Sequence, residues 1–457
     1  MSPFLVPGPP PVPVRAPYQF PPVTRSGAVL AADLPGCPTA FAAVQFDAGI
    51  RSEPTSRAGL GHLLAAVLRE GPGTRPAEEF ASALEGLGAA WTTTLGEDSL
   101  LLSATAPADT VLQVLEQVAR AARFPSFEDG PVARLRDAQS AQVRANWARP
   151  GTAAAEALGR ALYRTGRPTV LPHGTTRTLG GLSAQVLRDH HGALLASGPR
   201  VVLVGDLRRI ALDRAAGTAA RLVPRPPDRQ AAEPVGAPPS TPPEPRTPAG
   251  RDIVVVDRPG AAQAVIRVAH HLPLVARSEH SALAIAVHVL GGTVHSRLTR
   301  DLRDDRGLVY AVHAALQLTR DTGVFGVATQ SAPRHAGTVV ARVLDRIDEL
   351  REHGVGEGEL ASSVDLVTGR LPIDLHTPRA VGLALCALAS TGAADAFHTR
   401  RHAELAGLVP GEVRDAAREF LGTERSAVVV EGDASSVVPA LDAAGLGPVR
   451  LDALGHA

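Results

Sequence analysis

Histidine is the side chain in this 457-residue sequence that could most readily bind a metal or move a proton. Two adjacent pairs stand out, His190-His191 and His270-His271. Neighbouring residues on a helix or a strand point in different directions, so neither pair forms a two-ligand metal site easily. We expect both pairs to face solvent or an interface and not to form a metal site.

Two longer segments carry recognisable patterns. Residues 59–73 read GLGHLLAAVLREGPG, a predicted helix with one histidine, and a second helix ending in LEGLG and a pair of strands follow. Residues 291–316 read GGTVHSRLTRDLRDDRGLVYAVHAAL, which crosses from a helix to a strand. Together these segments resemble the insulinase/pitrilysin (inverzincin) peptidases, and the resemblance covers roughly residues 28–433.

The resemblance implies a zinc site that has been lost. In catalytic members of that family the first helix carries His-x-x-Glu-His, whose histidines bind zinc while the glutamate activates the metal-bound water. A further glutamate, roughly 75 residues on, completes the ligand set. Here His62, Ala65 and Ala66 occupy the motif positions, and the distal position falls near Gln142. We therefore expect no zinc in this chain, with His62 a partly buried helix histidine.

The second segment implies a role in binding substrate. In the two-subunit bacterial branch of the family, an arginine and a tyrosine seven residues apart lie on the subunit opposite the zinc. Arg303 and Tyr310 have that spacing. A guanidinium and a phenol hydroxyl can hold peptide carbonyls and help the oxyanion that develops at the cleaved bond. The alternative is structural: Arg303 in a surface ion pair with Asp304 or Asp301, and Tyr310 in a strand core.

The two halves of the chain resemble each other. Residues 182–207 and 408–434 each read as a helix, a short turn and an apolar strand that ends in Gly-Asp, so Asp206 and Asp433 correspond. The amphipathic helices 110–123 and 338–351 repeat the match. A near-constant offset over such long segments indicates a duplicated domain and not a solenoid repeat.

Strand pairs alternate with helix pairs in each half, which indicates an α+β fold with two homologous domains, each a mixed sheet covered on one face by helices. Residues 223–250 contain ten prolines and are predicted to be an extended linker between domains 1–222 and 251–457. Strands are predicted at 41–46, 90–95, 99–104, 200–204, 252–256, 264–269, 309–316, 323–329 and 427–430, and helices at 60–68, 76–87, 110–122, 130–146, 281–290 and 335–351.

Composition narrows the class of protein. The formal net charge is zero and the pI is near neutral, so nucleic acid and anionic membranes are not expected partners. No run of about 18 apolar residues is present, so no membrane-spanning helix is expected. Cys37 and Cys386 form no disulfide framework, and the proline-rich start lacks the pattern of a secretory signal. We expect a cytoplasmic protein.

The resemblance implies a function as a non-catalytic, substrate-binding subunit of a heterodimeric zinc metallopeptidase. Its partner is expected to be a homologous subunit that carries His-x-x-Glu-His and the zinc, and the peptide substrate is expected to add a strand to a sheet edge. A leader peptide of a small modified peptide is one possible substrate. The alternative is a peptide-binding or scaffold protein with no protease role, whereas an unaided peptidase requires a zinc site that this sequence lacks.

Overall fold

The computed structural model describes residues 19–73, 75–165, 171–222, 244–246, 250–273, 279–319, 323–391 and 397–452. Each half of the chain forms a six-stranded sheet with helices packed on it. The first half contains β1 (Val23–Ser26), β2 (Val29–Asp33), β3 (Thr39–Phe46), α1 (Leu60–Arg69), α2 (Ala77–Glu85), β4 (Ala90–Leu95), β5 (Leu100–Pro107), α3 (Val111–Arg123), α4 (Asp129–Trp147), α5 (Thr152–Leu162), β6 (Tyr163–Thr165), α6 (Thr176–Gly180), α7 (Ala184–Ala196), β7 (Arg200–Gly205) and α8 (Leu212–Leu222).

The second half has a related order of elements. It contains β8 (Glu244–Pro245), β9 (Asp252–Asp257), β10 (Ala264–Leu272), α9 (Glu279–Gly291), β11 (Val309–Leu318), β12 (Gly323–Ser331), α10 (Ala336–His353), α11 (Glu357–Asp374), α12 (Pro378–Thr391), α13 (Phe397–Ala406), α14 (Pro410–Phe420), β13 (Ala427–Gly432), α15 (Ala434–Ala443) and β14 (Val449–Asp452).

The strand order of the two sheets confirms two homologous mixed sheets. The first sheet runs β1-β2-β7-β3-β5-β4, and the second, read from its opposite end, runs β14-β9-β13-β10-β12-β11. In the first sheet β2 and β7 are parallel, and the pairs β7-β3, β3-β5 and β5-β4 are antiparallel. In the second sheet β9 and β13 are likewise parallel, and the pairs β13-β10, β10-β12 and β12-β11 are antiparallel. The outermost strands differ, since β1 is antiparallel to β2 whereas β14 is parallel to β9.

A polar contact at the strand ends is duplicated as well. In the first half the backbone N–H of Gly36 donates to Asp206 Oδ2 over 2.9 Å, and in the second that of Gly260 donates to Asp433 Oδ2 over 3.1 Å. Both glycines have positive φ, +77° and +72°, which favours glycine at this turn. The predicted correspondence of Asp206 and Asp433 therefore extends to what each carboxylate binds.

Each sheet buries one face against helices of its own half. Apolar residues of β3 and β5 pack on α1 and α3, and those of β10 and β12 pack on α9 and α10. The opposite face is partly covered by a helix from the other half. Ala153, Ala154 and Ala157 of α5 contact Val254 and Val429 of the second sheet. Helix α12 in turn covers part of the first sheet, so the halves exchange one helix each.

Buried polar side chains fix both exchanged helices. Glu431 on β13 accepts hydrogen bonds from the backbone N–H groups of Gly151 and Ala154, both 2.9 Å, at the start of α5. On the first sheet, Gln45 Nε2 donates to the carbonyl of Cys386 in α12 over 3.0 Å. Both anchoring side chains are almost completely buried, so losing either partner leaves an unsatisfied polar group inside the protein.

Two sequence expectations need comment. The prolines predicted as a linker at 223–250 lie almost entirely outside the described residues, apart from β8, which pairs with β6. The expectation that both histidine pairs face solvent or an interface was wrong for one member of each pair. His191 and His270 are buried, and each forms a 2.7 Å ring-nitrogen contact with a backbone carbonyl, of Ala122 and Phe420 respectively. Desolvation lowers the pKa of both, which favours the neutral ring.

Candidate functional site: the α1 groove

Helix α1 starts on a buried glutamate. Glu53 accepts hydrogen bonds from the backbone N–H groups of Gly59 and Gly61, over 2.9 and 2.8 Å, so its carboxylate satisfies donors at the start of the helix. Gly59 has φ +92°, and a Cβ there would lie 2.5 Å from the carbonyl oxygen of His173. Only glycine fits this approach, which fixes the direction of α1 and of the side chains on its open face.

That open face forms one wall of a cavity of about 950 Å³, called here the α1 groove. His62, Ala65 and Ala66 all line it, as the helical spacing requires, and Leu135 of α4 lines it from the adjacent helix. Of these four side chains only His62 can bind a metal. Ala65, Ala66 and Leu135 supply neither a general base nor a further metal ligand. Among the described residues, the carboxylates that line the cavity, Glu70, Glu78 and Glu85, form no metal-binding group with His62.

Gln142, near which the sequence placed the distal ligand position, does not line the α1 groove. Gln142 is exposed on α4, and its Nε2 donates to Asn146 Oδ1 over 2.7 Å on the same helix. The α4 residues that reach α1 are Leu135, which lines the groove, and Gln139, whose Nε2 donates to the carbonyl of Gly59 over 3.0 Å. Counting residues from the histidine motif pointed to a position about two helical turns beyond Leu135.

His62 packs edge to face against His173, with ring centroids 4.1 Å apart. Gln139 Nε2 donates to the carbonyl of His173 over 3.0 Å, which holds the segment carrying that ring against α1. Within the described parts of the chain, no three or more His, Cys, Asp or Glu residues are grouped so that they could hold a metal ion. The groove therefore keeps the shape of a site, and its one histidine is occupied in packing.

Candidate functional site: the Arg303–Tyr310 segment

The segment with Arg303 begins as a π-helical stretch, Thr299–Asp305, and a buried carboxylate fixes it. Asp301 accepts hydrogen bonds from the Nε atoms of Arg306, Arg342 and Arg346 over 2.7, 2.9 and 3.0 Å. Burial raises the pKa of Asp301, but the three guanidinium hydrogen bonds outweigh it and leave that pKa below its usual value. Two of the arginines belong to α10, so this contact ties the segment to the helical layer.

Arg303 lies next to that anchor and is accessible. Its Nε donates to Asp304 Oδ1 over 2.8 Å, and its side chain is 36% exposed. This hydrogen bond lowers the pKa of Asp304. The ion pair with Asp304 considered from the sequence is therefore present, whereas Asp301 pairs with other arginines. An exposed pair of this kind contributes about 0–1 kcal/mol, so it opens at little cost.

Tyr310 is 94% exposed, so the alternative of a strand-core tyrosine was wrong. It is the second residue of β11, the edge strand of its sheet, in a stretch where the pairing with β12 shifts between Val309 and Val312. Such an irregularity re-aims side chains. Among the described residues none forms a hydrogen bond with its hydroxyl. The tyrosine lines a cavity of about 670 Å³ together with Ala311, Ala328 and Arg267.

The structure thus places the sequence-predicted residues in two separate regions. His62, Ala65 and Ala66 share the α1 groove, whereas Arg303 and Tyr310 lie at the start of β11, and none of the described residues lines both cavities. Sequence reasoning missed Arg267. Its only signal was one arginine in the apolar first part of the strand AVIRVAHHL.

Two models of one protein family match this chain. Residues 28–172 match the family model described as insulinase (peptidase family M16), and residues 182–366 match the model described as peptidase M16 inactive domain. The two matches together cover more than half of the chain. The protein therefore belongs to the insulinase, or M16 peptidase, family.

Individual relatives are distant. An uncharacterised zinc protease of Streptomyces coelicolor is 28% identical over 165 residues, which are 35% of this chain and 35% of that protein. The alignment thus covers about a third of that curated relative.

Among solved structures, the peptidase M16 inactive domain from Pseudomonas fluorescens has a TM-score of 0.78 at 20% identity, covering 91% of this chain and 98% of that one. A chain of complex III2 from Candida albicans has a TM-score of 0.72 at 16% identity, covering 93% and 99%. These similarities establish the fold.

In the part of the chain that the structure describes, every helix is too short or too polar to span a bilayer.

Proposed function

We propose that this chain is the non-catalytic, substrate-binding subunit of a heterodimeric zinc metallopeptidase that cleaves peptides in a closed chamber. The partner is a homologous subunit that carries His-x-x-Glu-His and supplies the zinc and the general base. This chain supplies Arg303 and Tyr310. Its peptidase-like domains are residues 1–222 and 251–457, joined by the linker 223–250, and the pair works in the cytoplasm.

The observation that carries the proposal is the exposure of Tyr310. Tyr310 is 94% exposed, so its ring gains little stabilisation from burial in the fold. Its hydroxyl is available to donate to a carbonyl or to an oxyanion. The Arg303 guanidinium becomes available when its exposed pair with Asp304 opens. Both donors can then stabilise charge that develops on a cleaved peptide bond.

Strand β11 also offers a way to hold the peptide. It pairs with β12 on one side and is the edge of its sheet on the other. An extended peptide can add to such an edge through main-chain hydrogen bonds, which gives affinity without demanding one sequence. We place leader peptides of small modified peptides first among the substrates, since a leader is an extended peptide that such an edge can hold.

The test is reconstitution. We expect co-expression with a homologous His-x-x-Glu-His subunit from the same genome to give a pair with zinc in that subunit and cleavage of a fluorogenic peptide. Arg303→Ala should lower kcat/KM about 100-fold, the effect of losing an oxyanion donor. Arg300→Ala removes an exposed charge three residues away and should leave kcat/KM within twofold. Full activity of the Arg303→Ala pair contradicts the proposal.

A second function is favoured by one observation, the similarity to a chain of Candida albicans complex III2, where a protein of this fold is part of a larger assembly. On that alternative this chain binds peptides or organises a complex and takes no part in proteolysis. A stable pair that contains zinc and cleaves no peptide in a diverse library supports the scaffold alternative. Cleavage that depends on Arg303 excludes it.

A further inference from the structure

Arg267 lies in the middle of β10, where the pleat sends alternate side chains to opposite faces. Ile266 and Val268 belong to the core formed with the helices of the second half. Arg267 therefore lies on the other face, on which Val265 packs against the exchanged helix α5. A charged side chain on this partly covered face of the sheet needs a partner.

Among the described residues Arg267 has neither a hydrogen bond nor an ion pair, and its Nε is buried without an acceptor. Glu431 attracts the positive charge of Arg267 but does not bind it. The carboxylate of Glu431 already accepts hydrogen bonds from Arg258 Nε over 2.7 Å and from the backbone N–H groups of Gly151 and Ala154. Desolvation lowers the pKa of Arg267 although Glu431 opposes that change. A partly buried guanidinium without a partner is costly, and an anion that enters from solvent removes the cost.

The surroundings of Arg267 point to the kind of anion. Arg267 and Tyr310 line the same cavity of about 670 Å³, which is far larger than a single small anion requires. In the sheet register Arg267 lies opposite Ala328, and Ala328 lies opposite His313 of β11. Small side chains, Ala328 and Ala311, line the cavity along with these two residues, so an extended peptide can lie close to the sheet.

The register gives an approximate distance. Arg267 is two strands from His313, about 10 Å at the usual strand spacing, and His313 is three residues, about 10 Å, along β11 from Tyr310. The direct path from Tyr310 to Arg267 crosses the face of the sheet and is therefore about 14 Å long. The part of the peptide that leaves the β11 edge at Tyr310 covers it in about four residues. The reach of both side chains widens this span to between about three and five residues.

We propose that Arg267 binds a carboxylate of the peptide held at Tyr310, so that this chain selects peptides with an acidic group about three to five residues from the bond aligned with Tyr310. The planar guanidinium matches a carboxylate through two parallel hydrogen bonds. The acidic group is an Asp or Glu side chain or the peptide's own C-terminal carboxylate. This inference rests on the proposed function, because it takes Tyr310 as the point where the peptide is held.

The experiment measures binding and not cleavage, by fluorescence anisotropy with the full chain. The probes are labelled Ala/Ser/Gly peptides that carry one Asp at successive positions, each with a free or amidated C-terminus, and their Asp→Asn counterparts. We expect neutralising the recognised carboxylate to weaken binding to the wild type about 10- to 100-fold, the usual range for a hydrogen bond to a charged group. The amidated and Asn peptides identify which carboxylate is recognised.

Variants of Arg267 decide whether that residue is responsible. Arg267→Gln should bind acidic and neutral peptides equally, and Arg267→Glu should prefer a Lys peptide over an Asp peptide. Arg144→Gln, an exposed arginine on α4, should keep the full preference of the wild type. Thermal unfolding of each variant checks that it is folded, and the reversed preference of Arg267→Glu cannot arise from misfolding.

Equal affinity of the wild type for acidic and neutral peptides overturns the inference, as does an acidic preference that survives in Arg267→Gln. Displacement of acidic and neutral peptides alike by inorganic phosphate assigns the cavity to a free anion and also overturns it. These failures differ from failure of the proposed function, which shows as absent cleavage by the reconstituted pair whatever the peptide affinity.

Discussion

The α1 groove lies in the first half of a duplicated fold and the Arg303–Tyr310 segment in the second. The two regions differ in which polar side chains they expose. The groove keeps its supports, Glu53 at the start of α1 and Gln139 across from it, yet presents Ala65 and Ala66. The other region surrounds a buried aspartate with three arginines and leaves its tyrosine in solvent. On our proposal, the groove is a site that has lost its chemistry, and the anchored segment with exposed donors is the one that binds the peptide.

The largest expected effect comes from introducing zinc ligands and a general base into the α1 groove. The wild-type chain should retain no stoichiometric zinc after dialysis. A triple variant, Ala65→Glu, Ala66→His and Leu135→Glu, should bind one zinc in the micromolar range or tighter, about 8 kcal/mol of binding free energy. Metal analysis and titration with a zinc indicator measure both. The same triple variant with His62→Ala is the control and should lose the ion; zinc bound by the wild type means that ligands elsewhere were missed.

The anchor of the other region predicts the next largest effect. Asp301→Ala leaves three guanidiniums facing an empty space, and the free energy of unfolding should fall by about 3 kcal/mol or more, as for other buried ion pairs that lose one partner. Asp304→Ala removes a carboxylate from an exposed pair and should change stability by less than about 1 kcal/mol. Denaturant unfolding of both variants checks this order. Equal effects mean that Asp301 is no anchor.

The smallest prediction concerns pH. Desolvation, with His191 and Arg57 adding to it, lowers the pKa of His190 in the first half from 6.5 to about 4. The folded state therefore favours the neutral ring, so this contribution to stability is present above pH 6.5 and is lost as the pH falls toward 4. Protonation of this half-buried ring should lower the free energy of unfolding by about 1–2 kcal/mol between pH 6.5 and 5.

His190→Gln should flatten that part of the stability profile, and His353→Gln, which replaces an exposed histidine, should not. Urea unfolding at several pH values gives the profiles. An unchanged slope in His190→Gln shows that other groups cause the acid sensitivity of the first half.

Much of the fold was predictable from the sequence, because its central strands are apolar runs between clear turns. The predicted strand 90–95 agrees with β4, and the others differ by a few residues at their ends. The exchange of α5 and α12 was not predictable. An alanine-rich helix face shows that something is buried and does not show against which sheet. β2 was missed, since its five residues show little alternation.

The site was predictable only in part. Helical spacing placed His62, Ala65 and Ala66 on one face, as observed. The distal position depended on a count of residues that any deletion shifts, and it is Leu135 and not Gln142 that lines the groove. Tyr310 lies in an irregularity of strand pairing that cannot be predicted from the sequence. Arg267 stayed hidden because one arginine in a strand gains meaning only from the cavity beside it.

Replacing Tyr310 by phenylalanine tests the central claim most directly, because it removes only the hydroxyl and keeps the exposed ring. In the reconstituted pair with a wild-type zinc subunit, Tyr310→Phe should leave pairing and stability unchanged and lower kcat about 100-fold, as for loss of an oxyanion donor. Tyr163→Phe makes the same change at a buried tyrosine and serves as the control. Wild-type kcat and KM in the Tyr310→Phe pair contradict the claim that this chain contributes to proteolysis.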